Sequence, residues 1–297
     1  IGTTGCKCTV FDAVGKYLGR AYREYPANRN DNGHEIDAKL ILRAVFETIA
    51  EMAKQFPDIA GIGVTSFGET FVMTDEKGIP LHKAMLYTDP RGDKQNQSLV
   101  EALGSRQMQK ITGVKPHVTY SLSKMMWVKE NMPEVYSRAA HIFLMEDFVV
   151  YHLTGVAQID YSLASRTQAF DIRNLCWSKV IFNQAKIDMS KMSKPVPTGT
   201  SAGAVTIEKA RELGLKPDTI IVNVAHDQVA AAIGAGVFEG TLAADGAGTV
   251  ECMVPVYDSI PDMEVMYEGN YAVVPYVIPG KYVTYAYSYT GGALIQY

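Results

Sequence analysis

Ala225-His226-Asp227-Gln228 set a carboxylate and an amide between a β-branched run and an Ala-rich run, where a strand hands over to a helix. Open α/β sheets bind ligands at such carboxyl ends of strands. Asp227 could there accept the proton of an attacking hydroxyl, and Gln228 could bind a neighbouring one. The same position suits a helix N-cap, for which Asp is a preferred residue, so the cap reading stands beside the catalytic one. His226 reads as a packed or solvent-facing neighbour rather than a base.

Two turns could hold phosphate. Gly2, Thr3 and Thr4 offer backbone N–H groups and hydroxyls at a sharp turn, with the charge of Lys7 in reach. Taken alone, such a turn is more often merely a hairpin. Asp245-Gly246-Ala247-Gly248-Thr249 repeats the Gly-Thr pattern later in the chain. Two such turns facing across a cleft would grip a nucleotide's phosphates from both sides, and the pair is more specific than either member.

The elements that must position these groups are legible in outline. Residues 6–12 and 17–25 alternate as strands around a turn at Gly15-Lys16. Ile36, Leu40, Ile41, Val45, Ile49 and Met52 keep helical spacing, with Asp37 favouring the start, Lys54 the end and Pro57 the stop. Residues 61–67 read as a short buried strand, and 70–74 and 84–88 continue a β-rich region. Helices are expected to dominate residues 94–154. A helix over 206–213 stops at Gly214, a strand over 219–224 follows, and an Ala-rich helix covers 228–236. Strands resume at 241–244 and 250–256. Strand and hairpin thus recur near both ends, which predicts two related α/β halves.

The chain has 297 residues, enough for about two domains, and 47% of them are hydrophobic. Its 28 basic and 32 acidic residues give a net charge of −4 without blocks of one sign, a surface suited to neither nucleic acid nor anionic membrane. The apolar stretch over residues 229–238 is too short to span a bilayer, and no basic-then-apolar leader opens the chain, so a cytoplasmic protein is expected. Four cysteines do not make a disulfide framework. Cys6 and Cys8 would share one strand face, Cys176 and Cys252 stand alone, and all four read as small reduced core residues.

The order of motifs resembles the FGGY carbohydrate kinases, whose fold is that of the actin-like ATPases with two ribonuclease-H-like domains. Ile1-Gly2-Thr3-Thr4 is similar to that family's N-terminal phosphate turn, there preceded by an Asp. Ser121-Leu122-Ser123-Lys124-Met125-Met126-Trp127, followed by Pro133-Glu134 and Tyr136, resembles its Lys and Trp signature. Asp160-Tyr161-Ser162-Leu163-Ala164-Ser165-Arg166-Thr167, with Phe170-Asp171 and Trp177, resembles a long internal motif of glycerol kinases and xylulokinases. The likeness covers nearly the whole chain.

By position, the resemblance makes Asp227 the catalytic base and Gln228 a substrate-binding residue like that of glycerol kinases. Gly68 and Glu69 fall where glycerol kinases use an Arg-Glu pair, with Gly68 in the place of the Arg. The Met-His pair usual in xylulokinases is absent. Thr119 and Tyr120 fall where the family places an aromatic contact, and Asp89 and Arg91 match its Asp-x-Arg. Gly2, Thr3, Thr4, Lys7, Gly248 and Thr249, with Gly291 and Gly292 at the start of a later phosphate-facing helix, would hold the nucleotide. The family's Mg²⁺ is implied, with no metal ligand assigned.

The implied activity is transfer of the γ-phosphate of ATP to a sugar or polyol hydroxyl. A ketopentose such as xylulose is expected first; glycerol, another polyol or a sugar acid are the alternatives. The implied partners are that small molecule and ATP, and a homodimer is compatible with the resemblance. Residues 1–238 would be the sugar-binding N-terminal domain and 239–297 the incomplete opening of a nucleotide-binding domain. As it stands, the chain is therefore expected to bind MgATP weakly and to turn nothing over. An actin-like or chaperone-type ATPase, and a non-catalytic sugar-binding relative, are the competing readings.

Overall fold

In the computed structural model, which describes residues 1–30, 33–247 and 251–288, the strands Gly61–Ser66 and Ile220–His226 run parallel and end together, Ser66 beside His226. Ser201–Ala204 joins the far edge of Ile220–His226 antiparallel. β-Branched residues at Ile220, Ile221, Val222 and Val224 suit a pleated strand, and Thr65 donates from Oγ1 to the Ala225 carbonyl at 2.6 Å to fasten the two strand ends.

Ala38–Gln55 is the helix that the apolar spacing predicts. Its N-cap Asp37 accepts a hydrogen bond from the Lys39 N–H, and Ile41, Val45, Ile49 and Met52 are buried along one stripe. Ile36 instead closes the preceding strand Gly33–Ile36, because the cap at Asp37 sets the helix start one residue later. The helix packs on the hairpin Gly5–Phe11 and Tyr17–Glu24, where the Cys6 sulfur lies 3.8 Å from Thr48 Oγ1. All four cysteines are free; Cys6 is buried as expected, but Cys176 is exposed, since its two-residue strand lies at the surface.

A five-stranded sheet orders Asn28–Asn30, Gly33–Ile36, Ala84–Met85, Phe71–Thr74 and His141–Leu144. His141–Leu144 is a strand inside the run expected to be helical. It passes into the helix Met145–Thr154 with no turn residue between them, and Leu144 caps that helix without a side-chain bond.

Three acids are sealed beneath this junction. Glu146 Oε2 accepts from the Asp160 N–H and from Asn223 Nδ2, each at 3.0 Å, while Asp160 Oδ1 and Oδ2 cap the short helix Tyr161–Ser165. Asp147 accepts from Ser193 Oγ at 2.6 Å through one oxygen, and its other oxygen has no partner among the described residues. Burial raises all three, Asp147 to about 8 and Asp160 to about 6, with Asp160 adding to the rise of Glu146. For Asp147 the folded state therefore holds a proton that the unfolded state has released, and its contribution to stability is full below the ordinary Asp range and lost as pH rises towards 8. Asp147→Asn should gain roughly 1–3 kcal/mol relative to the parent between pH 5 and 8 in denaturant unfolding. A difference that stays flat with pH would show Asp147 to be ionised in the fold.

Residues 243–288 form an antiparallel sheet ordered Ala243–Ala247, Glu251–Tyr257, Tyr282–Ser288 and Ala272–Pro275, with the helix Met263–Glu268 between strands. Asp245, Gly246 and Ala247, expected in a turn, lie in the first of these strands, because their backbone pairs with Met253, Cys252 and Glu251. Met263, Met266, Val273 and Tyr282 enter the same core as Phe71, Leu122 and Phe170. At that junction the Val273 N–H donates to the Gly113 carbonyl at 2.7 Å, and a Cβ on Gly113 would stand 1.9 Å from the Val273 oxygen. Gly113 also has φ +75°, so the close approach and the backbone both require glycine.

Candidate active site

Asp227 stands where the parallel pair ends. It is the first residue of the helix Asp227–Gly234; the N-cap is His226, whose side chain makes no cap bond. Asp227 therefore does not occupy the N-cap position. Burial pushes its carboxyl up from the ordinary range, while the Gln228 N–H and the charge of Arg166 draw it partly back. The side chain is still 43% exposed, so an acceptor with raised basicity faces the opening. Gln228 follows in the first turn of the helix, partly exposed.

His226 is packed, as the sequence suggests. Its backbone N–H donates to Ser162 Oγ at 2.9 Å, and burial, aided by the nearby Arg166 charge, pushes its imidazole down to about 3. The ring is thus neutral at physiological pH, and its Nε2, 3.3 Å from Asp227 Oδ1, is a steric and polar neighbour rather than a cationic partner.

Glu69 lies in a strained turn that follows the strand Gly61–Ser66. It has φ +63°, and the Thr70 N–H donates to the Gly68 carbonyl at 2.8 Å, the pattern of a three-residue turn with a positive-φ centre. Such a conformation costs about 1–3 kcal/mol and persists only where its surroundings enforce it. Here Ser121 Oγ donates to the Glu69 carbonyl at 2.7 Å, and Arg166 holds the carboxylate, with Nε 2.5 Å from Oε1 and Nη2 on the same oxygen. The guanidinium sits 5.0 Å from the Tyr120 ring centroid and 5.3 Å from that of Tyr285.

Tyr120 reaches the same cluster through Arg166, and Thr119 precedes it in the chain. Thr119 Oγ1 donates to the Tyr87 carbonyl at 3.2 Å, and Tyr120, buried, precedes the helix Ser121–Asn131. Their backbone is held from below by Lys124, fully buried, whose ammonium donates to the carbonyls of Val118, of Thr119 at 3.0 Å and of Tyr120 at 3.5 Å. Asp89 and Arg91 lie in a separate clamp. Arg91 bonds both Asp89 oxygens and Glu35 and lies over Trp127, 4.8 Å from the ring centroid, so the pair fastens the loop to the sheet.

The N-terminal turn is one strand away. The Ile1 amine donates to the Thr65 carbonyl at 2.8 Å, and the Phe67 N–H donates to the Ile1 carbonyl at 3.0 Å. Gly2 donates from its N–H to the Gly5 carbonyl at 2.9 Å, while its carbonyl accepts from Tyr25 Oη at 2.5 Å, so the Gly2-Thr3-Thr4 backbone is fixed at the carboxyl end of the sheet. Lys7 is exposed on the hairpin opposite Tyr22. Gly248, Thr249, Gly291 and Gly292 lie outside the described residues. Among the described residues no group of three or more His, Cys, Asp or Glu is placed to hold a metal ion, and no helix is long and apolar enough to cross a membrane.

The structure thus links Gly68, Glu69 and Tyr120 through Arg166, whose charge also reaches Asp227, with Gln228 next to Asp227 in the chain and Thr119 next to Tyr120; Arg166 had no role in the residue patterns alone. A cavity of about 820 Å³ lies between the strands Gly5–Phe11 and Gly61–Ser66, lined by Ile1, Lys7, Cys8, Val10, Ile62 and Thr65, and contains none of Asp227, Glu69, Tyr120 and Arg166.

The family model described as "FGGY family of carbohydrate kinases, N-terminal domain" matches residues 1–234. A xylulose kinase of Lactococcus lactis is 26% identical over 288 residues, which cover 94% of this chain and 56% of that protein. A gluconokinase of Bacillus subtilis is 29% identical over 237 residues, 79% of this chain and 46% of that protein. Among solved structures, a ligand-bound xylulose kinase from Lactobacillus acidophilus superposes with a TM-score of 0.90 at 22% identity, over 100% of this chain and 60% of that one. The chain therefore spans about half to three-fifths of the length of the relatives it matches.

Proposed function

We propose that this chain, which belongs to the FGGY family of carbohydrate kinases and has their actin-like ATPase fold, supplies the sugar pocket and the proton acceptor for ATP-dependent phosphorylation of a sugar or polyol hydroxyl, a ketopentose such as xylulose first. The observation that carries this reading is the half-exposed Asp227 at the end of the parallel strands, within reach of the charge of Arg166, which pairs with Glu69 and lies on Tyr120.

Phosphoryl transfer asks a protein mainly to position the reactants and to neutralise charge. Asp227 would orient the attacking hydroxyl and take its proton as the bond to phosphorus forms, and its raised basicity suits that step. Glu69 and Gln228 would accept and donate hydrogen bonds to neighbouring hydroxyls, with Tyr120 packing against the carbon face. The fixed backbone and hydroxyls of Gly2, Thr3 and Thr4, with the charge of Lys7, have the donor chemistry for phosphate oxygens at this end of the sheet. ATP, when bound with Mg²⁺, would supply the phosphoryl group. A boundary between a sugar-binding domain and a nucleotide-binding one near residue 238 belongs to the same proposal.

The test is ADP release by the full-length protein across ketopentoses, glycerol, erythritol and gluconate. Release that depends on one of these supports the kinase; release indifferent to all of them points to an actin-like ATPase. Glu69→Ala and Gln228→Ala should each weaken binding of the active sugar by about 1–3 kcal/mol, Glu69 the more because Arg166 is left without its partner. ATP affinity should hardly change. Calorimetric titrations in which both ligands lose affinity equally would remove these residues from the sugar site.

A further inference from the structure

Similarity to both a xylulose kinase and a gluconokinase leaves open whether the pocket takes an uncharged sugar or a sugar acid. We infer that Arg166, admitted beneath the site by the missing side chain of Gly68 and neutralised by Glu69, is the specificity-determining residue and sets the pocket for uncharged polyhydroxy substrates. The inference rests on the sugar-kinase reading above.

Space is the first argument. Arg166 follows the helix Tyr161–Ser165, and its stem passes under Gly68. A Cβ built on Gly68 would lie 3.2 Å from Arg166 Cγ and 3.0 Å from two ring atoms of His226. Those contacts are tighter than most packed side chains show, so a side chain at position 68 would push the Arg166 stem or the His226 ring aside by a few tenths of an ångström. The glycine at position 68 and the arginine at position 166 are therefore one device: the cation that enters next to Glu69 comes from a residue 97 positions further along the chain.

Charge is the second. The Arg166 and Glu69 side chains are only 13% and 6% exposed, so their attraction is little screened by water. Two cation–π contacts, to Tyr120 and Tyr285, hold the guanidinium further in place. The neutral His226 adds no charge, and burial keeps Tyr120 and Tyr285 protonated. Of the two cations beside Glu69, Arg166 is already paired with its carboxylate and Lys124 with the carbonyls of Val118, Thr119 and Tyr120, so neither stands free for a second acid. A sugar carboxylate could gain Arg166 only by displacing Glu69. Hydroxyl groups meet no such opposition, and can bond the outer lone pairs of Glu69 while the ion pair stays intact.

The experiment titrates D-xylulose and D-gluconate calorimetrically into the chain and its variants. The parent should bind D-xylulose at least about tenfold more tightly than D-gluconate. Glu69→Gln, which frees the guanidinium, should shift that ratio about tenfold or more towards gluconate, and adding Arg166→Gln should abolish the shift. Gly68→Ala, which presses on the Arg166 stem without touching the ion pair, should weaken D-xylulose about tenfold and keeps the inference testable if Glu69→Gln does not fold. A parent that prefers gluconate, a ratio unmoved by Glu69→Gln, or an unchanged D-xylulose affinity in Gly68→Ala would each overturn it. A parent that binds neither probe would overturn the sugar-site reading itself, and this inference with it.

Discussion

Asp227→Ala is expected to lower kcat by about 10² or more in the full-length protein, the range that a positioned general base contributes, while the sugar KM changes less. Two features of the site set this expectation. The carboxyl is raised by burial, so it is a better proton acceptor than a free aspartate, and its 43% exposure leaves it reachable by a hydroxyl. A helix cap would give the opposite pattern. Loss of an N-cap costs about 0.5–2 kcal/mol of stability and leaves kcat alone, but the N-cap here is His226 and Asp227 stands one residue inside the helix. Thermal unfolding of Asp227→Ala should thus nearly match the parent while sugar-dependent ADP release collapses. A variant with near-parental kcat and a lowered melting temperature would leave Asp227 a structural residue.

What could be read from the sequence was local. Asp37 capping its helix, Gly214 ending the helix Ile207–Leu213 and Asp227 at a strand-to-helix step each depend on residues within a few positions, and periodicity and capping chemistry report on that range. His141–Leu144 escaped because four residues between two helices carry no turn signal, and its strand state is decided by pairing with Phe71–Thr74, far away in the chain. Asn28–Asn30 and Gly33–Ile36 escaped for a related reason: the first is polar and exposed, with no alternation to see. Gly68, Glu69, Thr119 and Tyr120 came through the resemblance rather than through spacing. Arg166 stood in a quoted motif without a role because its partner Glu69 is 97 residues distant, and only the fold brings a cation to the acid next to Gly68. A glycine beside a buried acid, together with an arginine flanked by small residues, was the signal available.

Lys124→Met should destabilise the fold by roughly 1–3 kcal/mol at pH 7.5 and weaken sugar binding, and opposing effects set that size. Burial pushes the Lys124 ammonium down from 10.5 to about 8, so the charged form is disfavoured inside by about 3 kcal/mol, and methionine relieves this. Against the relief stand the carbonyls of Val118, Thr119 and Tyr120, which lose their donor; each buried acceptor left unpaired costs about 1–3 kcal/mol. Together the carbonyls outweigh the relief, and because they belong to the segment carrying Thr119 and Tyr120, their loosening should raise the sugar KM. The pH dependence separates the two contributions. Between about pH 8 and 10.5 the folded state carries a neutral amine while the unfolded state is still protonated, so the parent's stability rises with pH through that window and falls back as pH drops through 8. Methionine cannot titrate, so the deficit of Lys124→Met should widen between pH 7.5 and 9.5 in denaturant unfolding. An equal deficit at both pH values would mean that the ammonium sits in the fold without a burial cost, and a variant as stable as the parent with unchanged sugar KM would mean that the Val118–Tyr120 carbonyls find other donors.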